Sequence, residues 1–175
     1  MRLPALKHLL EAAHGLAHSE RIYVLGSSAL LGSFPELGET GGPLETTFDA
    51  DLLLQPMDES LAAMLHEAIG EGSLFSGRTG YHADILRFEI TESLPTGWES
   101  RLVSIDATIN AVALAPEDLL VVKLRTGRPK DLELCRAVIR RHLISATALR
   151  ARLDASVLDE REITSVYQRL QEVSA

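Results

Sequence analysis

With 175 residues, 46% of them apolar, the chain has the length and hydrophobic content for one compact core. Its formal net charge of −8 excludes a broad, non-specific nucleic-acid coat, which needs Lys and Arg against phosphates. A local basic site, or an acidic site loaded with a divalent cation, remains compatible with that charge. Cys135 is the single cysteine, which excludes an intrachain disulfide and fits a reducing cytoplasm.

The elements follow from local pattern. Leu6, Leu9, Leu10, Ala13, Leu16 and Ala17 recur at helical spacing, so residues 4–18 are expected to form an amphipathic helix with Pro4 in its first turn. His14 and His18 lie four apart on it, a zinc-compatible spacing without a third ligand; a polar helix face is the plainer reading. Neither the N-terminal segment nor any later one approaches the ~20 apolar residues that span a bilayer, so the chain is expected to be unexported and free of membrane.

Ile22 to Leu25 is a short buried strand ending at Gly26, and Ser27 or Ser28 is placed to cap a helix through Ala29, Leu30 and Leu31. Residues 32–46, with Gly32, Gly38, Gly41, Gly42 and two prolines, are expected to form a mobile loop, a candidate lid. Thr46 to Leu54 forms the second strand, with Asp49, Asp51 and Leu53 on one face and Phe48, Ala50, Leu52 and Leu54 on the other. Asp58 caps a helix striped by Leu61, Met64, Leu65, Ala68 and Ile69 and closed by Gly70 and Gly72.

Tyr81 to Ile90 and Leu102 to Leu114 are strand-like, separated by a turn around Pro95 and Gly97. Helices then open at Pro116 and Pro129; the first carries Glu117 and Asp118 at its start and Lys123 and Arg125 at its end, and stops at Gly127. Ser145 caps a short helix running to near Leu153, and Asp159 with Glu162 opens the last one. The expected class is α+β: a mixed sheet flanked by helices over residues 1–115, with a helical region over 116–175 packed on that core.

Two carboxylates on one face of an apolar strand need neutralising, which a hard divalent cation does well; an exposed strand end would also tolerate them. The Gly26-Ser27-Ser28 turn is suited to phosphate, because glycine lets the backbone approach and hydroxyls and free amides hold oxygens. Residues 123–141 concentrate Lys123, Arg125, Arg128, Lys130, Arg136, Arg140 and Arg141 against Asp131 and Glu133, making a local anion site or a solvated helix face.

The order strand, Gly-Ser, helix, then a strand with Asp-x-Asp resembles the nucleotidyltransferase superfamily of the DNA polymerase β type. The stretches PTGWESRLVSI and LAPEDLLVVKLRTGRPKDLELC further resemble the bacterial AbiEii-like toxin nucleotidyltransferases and related families. The resemblance spans roughly residues 20–145 and implies a minimal nucleotidyltransferase fold. It implies transfer of a nucleoside monophosphate from an NTP to a hydroxyl with Mg²⁺ or Mn²⁺. Asp49 and Asp51 would hold metal with a third carboxylate, Asp84 in preference to Asp106. Gly26, Ser27, Ser28, Lys123, Arg128, Lys130 and Asp131 would form the nucleotide site. It also implies an RNA, protein or small-molecule acceptor and, for a toxin, a cognate antitoxin. The alternative is a catalytically inactive nucleotide-binding or protein-interaction module of the same fold.

Overall fold

Apolar segments from the first two thirds of the chain assemble into a five-stranded mixed sheet. The computed structural model describes residues 1–175. The strands are β1 (Arg21–Val24), β2 (Asp49–Gln55), β3 (His82–Ile85), β4 (Val103–Asp106) and β5 (Ala111–Ala113), and they lie in the order β3-β2-β1-β5-β4. β2 runs antiparallel to β1, β3 runs parallel to β2, and β5 runs parallel to β1. Leu52, Leu53 and Leu54 are all buried, as expected of a strand covered on both faces.

The helices are α1 (Leu3–Ala17), α2 (Glu59–Ile69), α3 (Leu74–Thr79), α4 (Pro116–Thr126), α5 (Pro129–Arg140), α6 (Ala146–Asp154) and α7 (Glu160–Ser174). α1 buries Leu6, Leu9, Leu10 and Ala13 of the stripe its spacing predicts and packs on α2, while Leu16, near its C-terminal end, is exposed. α2 starts where Asp58 accepts a hydrogen bond from the Leu61 amide at 2.8 Å. α4 buries Leu119, Leu120, Val121 and Leu124 around most of its circumference because α5, α6 and α7 all pack against it. A single cluster of 39 buried apolar residues runs from Leu6 in α1 to Val173 in α7.

Several expected elements differ in detail. The segment after Gly26 is a six-residue 3₁₀ helix, Ser27–Gly32, with no side-chain cap from either serine. Tyr81 to Ile90 pairs only over β3; its last ladder bond runs from the Leu86 amide to the Leu52 carbonyl at 2.8 Å. The chain then leaves the sheet edge and coils into a 3₁₀ turn, Phe88–Ser93. Leu102 to Leu114 is a hairpin of β4 and β5 rather than one strand, because Asp106 accepts from the Thr108 amide at 2.9 Å and turns the chain. α3 is too short for periodicity to reveal, although Ser73 caps it and Gly80, at φ 82°, ends it.

The loop expected to be mobile is packed. Leu37 and Leu44 are buried, and the Leu44 amide donates to the Leu37 carbonyl at 2.9 Å. Arg141 reaches across from the end of α5 to the Gly41 carbonyl at 3.1 Å. The segment forms a wall beside the carboxylates of β2.

Candidate active site

Strand register brings the acidic residues together. β2 and β3 run parallel with Asp49 opposite His82 and Asp51 opposite Asp84, so alternate side chains from both strands share one face. Ligand oxygens of Asp49, Asp51 and Asp84 lie within 4.8 Å of one another. Asp49 and Asp51 are half-buried, whereas the Asp84 side chain is 50% exposed. Burial and the adjacent Asp49 push the Asp51 carboxyl above its usual range, with Asp84 adding to the effect and Lys123 and Arg128 opposing it.

This donor set fits a hard divalent cation, being all carboxylate oxygen and partly open to water. Asp106 is held apart from it. β4 is the sheet edge opposite β3, with β1 and β5 between β2 and β4, and the Asp106 carboxylate is already engaged by Thr108. His14 and His18 gain no third ligand-type neighbour.

Gly26 has a different local role from the one its sequence context suggests. The Leu25 amide donates to the Asp51 carbonyl at 3.0 Å, placing Gly26 directly beside the Asp51 side chain. A Cβ on Gly26 would lie 1.5 Å from Asp51 Oδ2, so the missing side chain makes room for the carboxylate. Ser27 lines the neighbouring cleft. Ser28 does not; it turns inward, and its hydroxyl is buried without a partner.

The basic residues come from the α4–α5 corner, where Gly127 at φ 66° reverses the chain. Lys123 Nζ lies 2.9 Å from Asp131 Oδ1, and Arg128 Nε lies 2.6 Å from Asp131 Oδ2. Burial alone would raise the Asp131 carboxyl, but hydrogen bonds from Arg128 and Lys123 outweigh it and hold the group below the usual carboxylate range. The same bond to Asp131 raises the Arg128 guanidinium further. Lys130 is exposed and lines the cleft with Ser27.

Two depressions flank the carboxylates. One is a polar cleft of about 500 Å³ bearing Ser27, Thr46, Thr47, Asp49, Lys130 and Glu133. The other is a groove of about 200 Å³ reached by Asp51, Lys123 and Arg128. Asp131 lines the cleft while its two cationic partners line the groove, so the ion-paired cluster forms the wall between them.

Two residues near these features are placed by the structure alone. His82 shares the face of the carboxylates, with Nε2 3.7 Å from Asp84 Oδ1; its alternation with Asp84 was the available signal. Asp118, in the first turn of α4, points away from the site: it is fully buried and pairs with Arg101 at 2.8 Å and with Arg152.

A five-stranded mixed sheet flanked by helices, carrying three neighbouring carboxylates beside a basic helical corner, defines a minimal nucleotidyltransferase fold. Residues 3–174 match the family described as "Nucleotidyltransferase of unknown function (DUF6036)", and the chain belongs to that family. Neither a curated protein nor a solved structure matches the chain. No helix is long and apolar enough to cross a membrane.

Proposed function

We propose that the protein is a metal-dependent enzyme that transfers a nucleoside monophosphate from an NTP to a hydroxyl acceptor. The observation that carries this reading is the convergence of Asp49, Asp51 and Asp84 within 4.8 Å beside the cluster of Lys123, Arg128 and Asp131. The three carboxylates would hold Mg²⁺ or Mn²⁺. Bound there, the ion would neutralise charge on carboxylates and phosphates and acidify the acceptor hydroxyl.

The protein's own groups supply the rest. Asp84, the most exposed of the three, takes the acceptor proton at its carboxylate as the new O–P bond forms at the α-phosphorus. The bond from that phosphorus to the β-phosphate bridge breaks, and pyrophosphate leaves. Lys123 and Arg128 hold the charge accumulating on the leaving group, one as a point charge and the other as a planar fork. Asp131 fixes both cations, so their orientation needs no reorganisation during the reaction. Gly26 keeps the Asp51 carboxylate in place, while Ser27 and Lys130 contact the polyphosphate from the cleft.

The acceptor class is a hydroxyl on RNA, protein or a small molecule. Resemblance to the AbiEii-like proteins supports a cytoplasmic bacterial toxin with a cognate antitoxin. The test is incubation with each labelled NTP, Mg²⁺ and cell extract. Label should appear on an acceptor with the wild type and vanish with Asp49→Asn/Asp51→Asn; no label, or label indifferent to those changes, rejects the enzyme.

A further inference from the structure

The groove beside Asp51 has two chemically different ends. Leu86, Ile90, Leu94, Leu119 and Val122 line its apolar part. Asp51, Lys123 and Arg128 stand on its polar side. A ligand matching this surface has a flat apolar body joined to an anionic tail. Its volume of about 200 Å³, against about 500 Å³ for the neighbouring cleft, suits the body of such a ligand without its tail.

We propose that this groove is the nucleobase subsite, taking the base of an NTP between the Leu86–Leu94 segment and α4 while the phosphates meet Lys123 and Arg128. This rests on the nucleotidyltransferase reading above. The neighbouring cleft is the poorer base site, because hydroxyl and charged groups dominate its lining, among them Ser27, Thr46, Thr47, Lys130 and Glu133, and an apolar base face would strip water from them.

The groove also shows how it treats different bases. Its two hydroxyls spend their protons on main-chain carbonyls: Thr126 donates to Val122 at 2.6 Å and Ser93 donates to Ile90 at 2.7 Å. No aromatic ring lines it. The base is therefore held by apolar contact and shape, with no side-chain hydroxyl proton free to read its edge. ATP and GTP should bind within about fivefold of each other, because neither hydroxyl has a proton left to donate to one of them and the two cations face the phosphates.

The test compares ATP, GTP and inorganic tripolyphosphate, each with Mg²⁺, by calorimetric titration of the full chain. The variant is Ile90→Ser/Val122→Thr; Ile90 is 41% exposed and Val122 is only half-buried, so both changes spare the core. The expected result is an approximately tenfold loss of ATP and GTP affinity with tripolyphosphate binding unchanged. Equal losses for all three ligands, or none for the nucleotides, would overturn the base subsite while leaving nucleotide binding intact. A wild-type protein that binds none of the three overturns the nucleotidyltransferase reading itself and the subsite with it. A preference well beyond tenfold between ATP and GTP would refute recognition by shape alone.

Discussion

Gly26 and Asp51 share one space: a Cβ built on Gly26 falls 1.5 Å from Oδ2 of Asp51 and 2.5 Å from its Cγ. No such approach is tolerated, so a side chain at position 26 must displace the carboxylate. Gly26→Ala should cost roughly 1–3 kcal/mol of stability, the usual range for overpacking. It should also weaken Mn²⁺ binding, because Asp51 is forced out of the triad. Urea unfolding and Mn²⁺ titration followed by electron paramagnetic resonance measure the two effects; undiminished Mn²⁺ affinity would show that Gly26 does not set the carboxylate's position.

Asp51 illustrates a conflict between stability and site chemistry. Its burial beside Asp49 and Asp84 disfavours the charged form, so the ion-free protein carries an unfavourable charge there. Asp51→Asn should raise the melting temperature in EDTA by roughly 2–4 °C, the effect of about 1 kcal/mol in a chain of this size. Addition of Mg²⁺ should stabilise the wild type and leave the variant unmoved. A variant that melts lower than the wild type in EDTA would contradict the assigned repulsion.

What the sequence made legible was local. Pro4, Pro116 and Pro129 open helices where expected, Asp58 and Ser145 accept cap hydrogen bonds, and Asp49 and Asp51 share a face because strand residues alternate. What remained hidden depends on contacts between distant parts of the chain. Asp84 and Asp106 both occur in strand-like segments, and only the order β3-β2-β1-β5-β4 puts one beside Asp51 and the other at the far edge. The Gly-Ser turn lies beside the carboxylates through Gly26, for a reason that glycine's backbone freedom alone does not give. The space that Gly26 leaves is filled by Asp51, a partner no local pattern announces.

Asp131 gives the folded state a defined response to acid. Its side chain is 2% exposed, and bonds from Arg128 and Lys123 hold its carboxyl below the usual range despite burial. Because its folded pKa lies below the unfolded value of about 3.9, its contribution to stability is present above that value. It is lost as pH falls through the depressed folded value. Melting temperatures of the wild type and Asp131→Asn, followed from pH 6 to pH 2, should differ most at pH 6 and converge at the acid end. A gap that stays constant across that range would show that the Asp131 charge contributes nothing to folding.

Asp118 joins parts of the chain that no periodicity links. Its carboxylate accepts from Arg101 Nε at 2.8 Å, from Arg101 Nη2 at 3.0 Å and from Arg152, while both arginines also donate to the Thr96 carbonyl. The group ties the 3₁₀ turn at Trp98–Arg101 to α4 and α6. The Asp118 side chain is fully buried and that of Arg152 is 10% exposed, so removing the carboxylate leaves positive charge poorly solvated. Asp118→Asn should cost roughly 3–5 kcal/mol, a fall in melting temperature on the order of 10 °C. Asp118→Leu combined with Arg101→Met and Arg152→Met should recover most of that loss, because no unpaired charge then remains. Thermal unfolding of both proteins separates an ion cluster that matters by its pairing from one that matters by its shape: failure of the triple variant to recover would assign the role to geometry that the apolar side chains do not reproduce.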